Sequence, residues 1–188
     1  MKPSNAALLV MDIQNTTMGL FQDPERNALI SALRASVDGA RAAGIPVIYV
    51  IVAFRKGFPE VSSENKSFGA LKSGAMPGLD GEVSVHDSVR PEPGEVVITK
   101  KRVSAFAGSD LEVVLRGGNI RHLVLTGVAT SGVVLSTLRE AADKDFKLTV
   151  LSDACADRDP EVHQVLMGKV FPRQADVLTV SGWVQSLV

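Results

Sequence analysis

The sequence predicts an α/β protein in which a six-stranded, mostly parallel sheet is flanked by helices on both faces. Three observations lead there. Short runs that are apolar throughout recur along the 188 residues, as strands buried on both faces require. Stretches with helical spacing of apolar residues stand between them. The two kinds alternate, strand then helix, which is the pattern of parallel strands joined by crossovers and gives a three-layer, Rossmann-like architecture.

Taken in order, Ala6 to Met11 (AALLVM) lacks alternation and is too short for a helix, so it reads as a buried strand with Asp12 at its C-terminal end. Asp23-Pro24-Glu25 offers an N-cap and an acidic first turn. Ala28, Leu29, Ala32, Leu33 and Val37 then recur at helical spacing up to Gly44. Pro46 to Val52 is rich in β-branched residues and forms a second strand. Ala53 to Gly94 is rich in Gly and Pro with little periodicity, and reads as a long surface loop of the kind that often carries function.

Val96 to Thr99 makes a short third strand ending at Lys100. Ser109-Asp110 can cap a helix through Arg116, closed by Gly117-Gly118. His122 to Thr126 is a fourth strand, followed by a helix over Thr130 to Lys144. Leu148 to Leu151 is a fifth strand, Asp159 to Val170 a helix, and Val177 to Val180 the sixth strand. No linker or internal repeat interrupts the series, so residues 1–188 are expected to form a single domain, long enough to bury roughly 70% of the unfolded surface.

Composition narrows the function. Hydrophobic residues at 45% against 22% charged argue for a globular chain rather than a disordered one. Net charge is −1 and the basic residues are scattered, which excludes a basic footprint for nucleic acid or an anionic membrane and favours a small-molecule partner. The longest apolar run, Ile45 to Phe54, is about half of the ~20 residues a membrane helix needs. Near the N-terminus Asp12 interrupts the apolar run, leaving no secretory signal core. The single cysteine, Cys155, can form no internal disulfide and suits a reducing cytoplasm.

In open parallel sheets the ligand site lies beyond the carboxyl ends of the strands. The first strand delivers Asp12-Ile13-Gln14-Asn15 there, the third delivers Lys100, Lys101 and Arg102, and the fourth delivers Gly127 to Val133. An acid and an ammonium on neighbouring strand ends make a proton acceptor or, once protonated, a donor. Plainer readings stand beside this one: Asp12 capping a turn, Lys100 solvated, and Arg102 pairing with an acid rather than binding a substrate carboxylate. His86, His122 and His163 lack the spacing of a metal site, and neither metal nor cofactor is expected. Cys155, between Asp153 and Asp157, reads as a small buried residue with a raised thiol pKa.

Three motifs carry a resemblance. MDIQN after the first strand, TKKRVSAFAGSDL after the third and LTGVATSGVVLST running into a helix, with the later LSDACAD, together resemble the isochorismatase-like (cysteine) hydrolases from about Ala6 to Thr179. The resemblance implies a six-stranded parallel sheet, assembly as dimers or tetramers, and hydrolysis of a small molecule. It casts Asp12 as general acid/base and Lys100, rather than Lys101, as the catalytic lysine. It also implies a non-proline cis peptide at Val128-Ala129. Backbone N–H groups of Val128, Ala129 and Gly132 become candidates for an oxyanion hole, with Gln14 and Arg102 as further substrate-binding candidates.

The family's nucleophilic cysteine corresponds to Val133 here, and a valine cannot form the thioester that the family's amide hydrolysis requires. One branch, the isochorismatases proper, has glycine at that place and acts by acid chemistry. Its turn reads Tyr and His where this chain has Ala129 and Ser131. Ser131 and Ser136 flank the position, but no histidine is expected beside them as a base; Ser131 reads as a helix N-cap and Ser136 as packed within the helix. Two functions follow: a cysteine-independent hydrolase, or a catalytically silent binding or scaffold protein.

Overall fold

The computed structural model describes residues 5–74, 78–80 and 83–187. The strands are β1 (Ala6–Met11), β2 (Val47–Val52), β3 (Val96–Lys100), β4 (His122–Val128), β5 (Lys147–Ala156) and β6 (Asp176–Leu178). All pair in parallel in the order β3-β2-β1-β4-β5-β6. The helices are α1 (Asn15–Met18), α2 (Asp23–Ala42), α3 (Leu111–Gly117), α4 (Leu135–Asp143), α5 (Pro160–Val165) and α6 (Val180–Gln185).

Alternation along the central strands divides the interior in two. Ala7, Leu9, Met11, Val50 and Ile98 pack against Leu111 and Leu115 of α3 and Leu138 and Ala141 of α4. Ala6, Leu8, Val10, Tyr49 and Ile51 pack against Leu29, Leu33 and Val37 of α2 and Val180 and Trp183 of α6. Every residue of β1 and β2 is buried, which is why both read as unbroken apolar runs. Arg41, near the end of α2, anchors the approach to β3 by a two-pronged contact with Glu95 at 2.8 and 2.9 Å.

Several elements depart from the sequence reading. The long loop encloses a third apolar cluster of Val52, Phe54, Phe58, Val61, Leu71 and Leu79, so it folds over its own small core. Asp23 is the first residue of α2 rather than its cap, which is Gln22. β5 runs on to Ala156, with an irregular register against β4 between Leu125 and Gly127. Val180 belongs to α6 rather than β6. The helix expected from Thr130 begins as a wide turn over Thr130–Val134, in which Gly132 has non-helical angles (φ −95°, ψ −107°), before α4 proper.

Candidate active site

From β1 the chain steps outward to β2 and β3, then returns to lay β4 on the other side of β1. The direction of winding reverses between β1 and β4, and ligands of open α/β sheets bind beyond the strand ends at such a point. Met11 pairs with Gly127, so Asp12 and the Val128-Ala129 peptide leave adjacent strand ends. Gly127 makes that approach possible. It has φ +138°, and a Cβ there would lie 2.2 Å from the Met11 carbonyl oxygen. No other residue type fits.

Asp12 turns the chain out of β1 with φ +56°, a left-handed conformation that Asp tolerates better than most residues. Its N–H donates to the Val50 carbonyl at 2.8 Å. Lys100, the last residue of β3, reaches past the end of β2 to place its ammonium 2.9 Å from Asp12 Oδ2 and donates to the Arg102 carbonyl at 3.0 Å. Asp12 is 7% exposed and Lys100 2%. Burial pushes the Asp12 carboxyl up to about 6, with the charge and hydrogen bond of Lys100 pulling the other way. Asp12 Oδ1 is buried and has no hydrogen-bond partner among the described residues, although buried polar atoms are almost always paired.

The other candidates divide. The Gln14 amide donates to the Val52 carbonyl at 3.1 Å and accepts from the Val52 N–H at 2.8 Å. It acts as a strand-like brace that ties the segment after Asp12 to the end of β2. Arg102 pairs with no carboxylate among the described residues. Its guanidinium donates to the carbonyls of Lys101 at 2.6 Å and Glu60 at 2.8 Å, pinning the long loop beside β3. Lys101 turns away from Asp12 to the Ala53 carbonyl at 2.5 Å and the face of Phe54, so Lys100 alone of the two lysines meets the aspartate. A cavity of about 630 Å³ opens by Lys101, lined also by Ile51, Phe54, Arg55, Ser84 and Thr99.

On the β4 side the Val128-Ala129 bond is cis. The Gly132 N–H is spent on the Ala129 carbonyl at 3.0 Å, and the Val134 N–H reaches the same oxygen at 3.3 Å. Gly132 is therefore not a free oxyanion donor. Ser131 is not a cap, since Ala129 holds that position; its N–H donates to Asp157 Oδ2 at 2.7 Å. Val133 is 2% exposed and belongs to the same apolar cluster as Val134 and Leu138.

A histidine does stand at this turn, beside Thr130 rather than beside Ser131 or Ser136. His163 Nδ1 lies 2.8 Å from Thr130 Oγ1. Thirty-three positions separate the two residues, so no spacing rule pairs them. Cys155 is buried, its thiol pushed up to about 12 chiefly by that burial, with Asp153 a minor contributor. Burial thus does most of the raising, and the neighbouring carboxylate of Asp153 adds to it. Among the described residues no three His, Cys, Asp or Glu side chains converge as metal ligands.

Comparison with known proteins agrees with this layout. The isochorismatase domain family matches residues 6–181. The ureidoacrylate amidohydrolase RutB of Pseudomonas syringae pv. syringae is 33% identical over all of this chain and 82% of its own length. That of Agrobacterium fabrum is 30% identical over all of this chain and 89% of its own. Among solved structures, an isochorismatase family protein from Burkholderia thailandensis superposes with a TM-score of 0.85 at 28% identity, covering 97% of this chain and 95% of that one. A cysteine hydrolase from Pseudomonas syringae pv. phaseolicola shares the fold, with a TM-score of 0.86 at 20% identity over 100% and 94% of the two chains. The N-carbamoylsarcosine amidase from Thermoplasma acidophilum superposes with a TM-score of 0.76 at 26% identity, over 94% and 96% of the chains. On its sequence and its fold, this chain belongs to the isochorismatase family.

Proposed function

We propose that this chain is a small-molecule hydrolase that works without a cysteine nucleophile, with Asp12 as the proton-transferring group and Lys100 as its electrostatic partner. The observation that carries this reading is the buried 2.9 Å pair in which Asp12 keeps one oxygen unpartnered. A carboxyl near 6 is mostly ionised at neutral pH with about a tenth protonated, so it can take a proton and return it in one cycle. Its free oxygen is the atom available to do so.

The chemistry then follows from what stands at 133. Without a thiol, Asp12 as base takes a proton from water while the water oxygen bonds to the scissile carbonyl carbon. It returns that proton to the leaving nitrogen as the C–N bond breaks. With a vinyl ether the order inverts: protonated Asp12 delivers its proton to the alkene carbon, water adds to the resulting cation and gives a proton back to Asp12, and the hemiketal collapses to a carbonyl as its C–O bond breaks and its hydroxyl proton passes to the departing alcohol oxygen. Lys100 holds Asp12 in register and stabilises its ionised form in both sequences. The names of the relatives, an amidohydrolase of ureidoacrylate and an amidase of N-carbamoylsarcosine, favour N-carbamoyl compounds as the substrate class. We further propose a cytoplasmic location and a homodimeric or homotetrameric assembly, which light scattering on the purified protein would read directly.

Val133 supports a second reading. A residue 2% exposed and packed into the apolar core leaves no nucleophile facing a substrate, as expected of a silent binding or scaffold protein. Incubating wild type, Asp12→Ala and Val133→Cys with amides, N-carbamoyl compounds and vinyl ethers separates the two. Turnover by wild type that vanishes in Asp12→Ala establishes the cysteine-independent hydrolase. Turnover confined to Val133→Cys establishes the silent protein.

A further inference from the structure

The turn that β4 sends toward Asp12 is held from outside the pair. Two of its consecutive residues are gripped by side chains from beyond β5, one from the segment that leads into α5 and one from α5 itself. The Ser131 N–H donates to Asp157 Oδ2 at 2.7 Å, and Thr130 Oγ1 meets His163 Nδ1 at 2.8 Å. The other Asp157 oxygen accepts from the Asp159 N–H at 3.3 Å. Asp159 in turn caps α5 by accepting from the N–H groups of Glu161 and Val162 at 2.9 and 3.3 Å. Asp157 to His163 is thus one braced stretch carrying two hooks.

No residue of α5 is fully buried, so deep core packing does not fix this helix against the turn, whereas Thr130 is wholly buried and its hydroxyl needs an internal partner. We propose that Asp157 and His163 are positioning residues of the reactive site, setting the path of residues 128–134 and with it the placement of the side chain at 133. The inference rests on the reading of this turn as a wall of the reactive pocket. It adds to that reading two residues, neither of which touches the Asp12–Lys100 pair.

The histidine tautomer sets the direction of this bond. Neutral His163 with its proton on Nε2 accepts from the Thr130 hydroxyl through Nδ1. Burial holds the imidazole below its ordinary pKa, while the Asp157 carboxylate acts the other way. The wide turn packed against it contains no ionisable side chain; Glu161 shares its helix, and Lys169 lies in the wide helical stretch that continues α5. A protonated His163 would turn Nδ1 into a donor and leave the Thr130 proton to find a new acceptor in a buried place.

The test reads the turn through a thiol placed in it. In a V133C background, iodoacetamide reports the environment of position 133, while buried Cys155, with its thiol near 12, stays silent. We expect H163A and D157A to change the alkylation rate about fivefold, the size of one lost hydrogen bond of about 1 kcal/mol, and to lower the melting temperature by only about 2–4 °C. H163Q and D157N, which keep an acceptor oxygen, should restore it. T130V should reproduce H163A and be non-additive with it. Unchanged rates in H163A and D157A, or additive effects of T130V and H163A, would overturn the proposal. Should V133C fail to fold, the amide resonances of Ser131 and Gly132 in the otherwise native chain decide the matter, displaced in H163A and native in H163Q. Native shifts in H163A would refute it. Neither readout needs a substrate, so loss of the hydrolase reading and loss of this one are told apart.

Discussion

The carboxyl of Asp12 makes a quantitative claim on stability. Its pKa rises from an ordinary 3.8 to about 6 in the folded protein, chiefly because burial disfavours the charged form. A raised acid pKa means that the fold binds the Asp12 proton more tightly than the unfolded chain does. The contribution is fully present below about 3.8 and is lost as pH rises through 6, beyond which it changes no further. The size is about 3 kcal/mol. Glu95 and Glu112 act in the opposite sense, being held low by Arg41 and by Lys144 respectively; the burial of Glu95 works against its lowering, and both contributions grow as pH rises.

The difference between wild type and Asp12→Asn isolates the term, because the other carboxylates are common to both. Urea unfolding from pH 4 to pH 7, analysed by linear extrapolation, should show wild type losing about 2.4 kcal/mol relative to the variant across that interval, the remainder being lost below pH 4. Carbon-13 NMR of the Asp12 carboxyl should show its midpoint near 6. Parallel stability curves for the two proteins, or a carboxyl midpoint near 3.8, would refute the reasoning. Asp12 would then be an ordinary solvated acid and the proton-transfer role would lose its basis.

Three further outcomes are expected. Lys100→Met removes the principal group that holds the Asp12 pKa down, so the carboxyl should titrate above 6 by NMR and stability at pH 7 should fall by about 3 kcal/mol, the size of a broken buried pair. Gln14→Ala leaves the N–H and carbonyl of Val52 without their side-chain partner, and should lower urea stability by about 2 kcal/mol. Gly127→Ala forces a Cβ against the Met11 carbonyl in a backbone region closed to L side chains. It should yield insoluble protein or a melting temperature lower by more than 10 °C, on the order of a 3 kcal/mol loss.

The parts of this molecule legible in the sequence are those set by local pattern. β1 and β2 announce themselves because each is buried on both faces, and α2 because one face of twenty residues is apolar. The pairing of Asp12 with Lys100 could be guessed because a parallel sheet brings strand ends together whatever their separation along the chain. What local pattern does not encode was missed. β5 reads as ending at Leu151 because Ser152 and Asp153 break the apolar run, yet pairing with β4 resumes at Cys155 after a shift in register. TSGVV runs straight into the helical pattern that follows it, and only the geometry shows Gly132 leaving the helical region. Gln14 looked like a substrate contact because polar residues at strand ends usually are; its amide is consumed by a backbone that no motif describes.

The energetics of the pair bear on the choice between enzyme and scaffold. Burying an aspartate and a lysine at 7% and 2% exposure removes both charges from water, and a well-packed apolar pair of similar volume is often as stable or more so. The unpartnered Oδ1 adds a further penalty, because nothing in the fold offsets its desolvation. A scaffold needs neither charge: its sheet, its two interior clusters and the Gln14 brace would all survive apolar residues at 12 and 100. A proton-transfer site needs both, since the lysine keeps the carboxyl from rising so far that it never ionises, and the free oxygen is the one that meets substrate or water. The stability forgone at Asp12 and Lys100 therefore favours the proposed proton-transfer chemistry over a purely architectural role, whatever step the valine at 133 leaves to the pair.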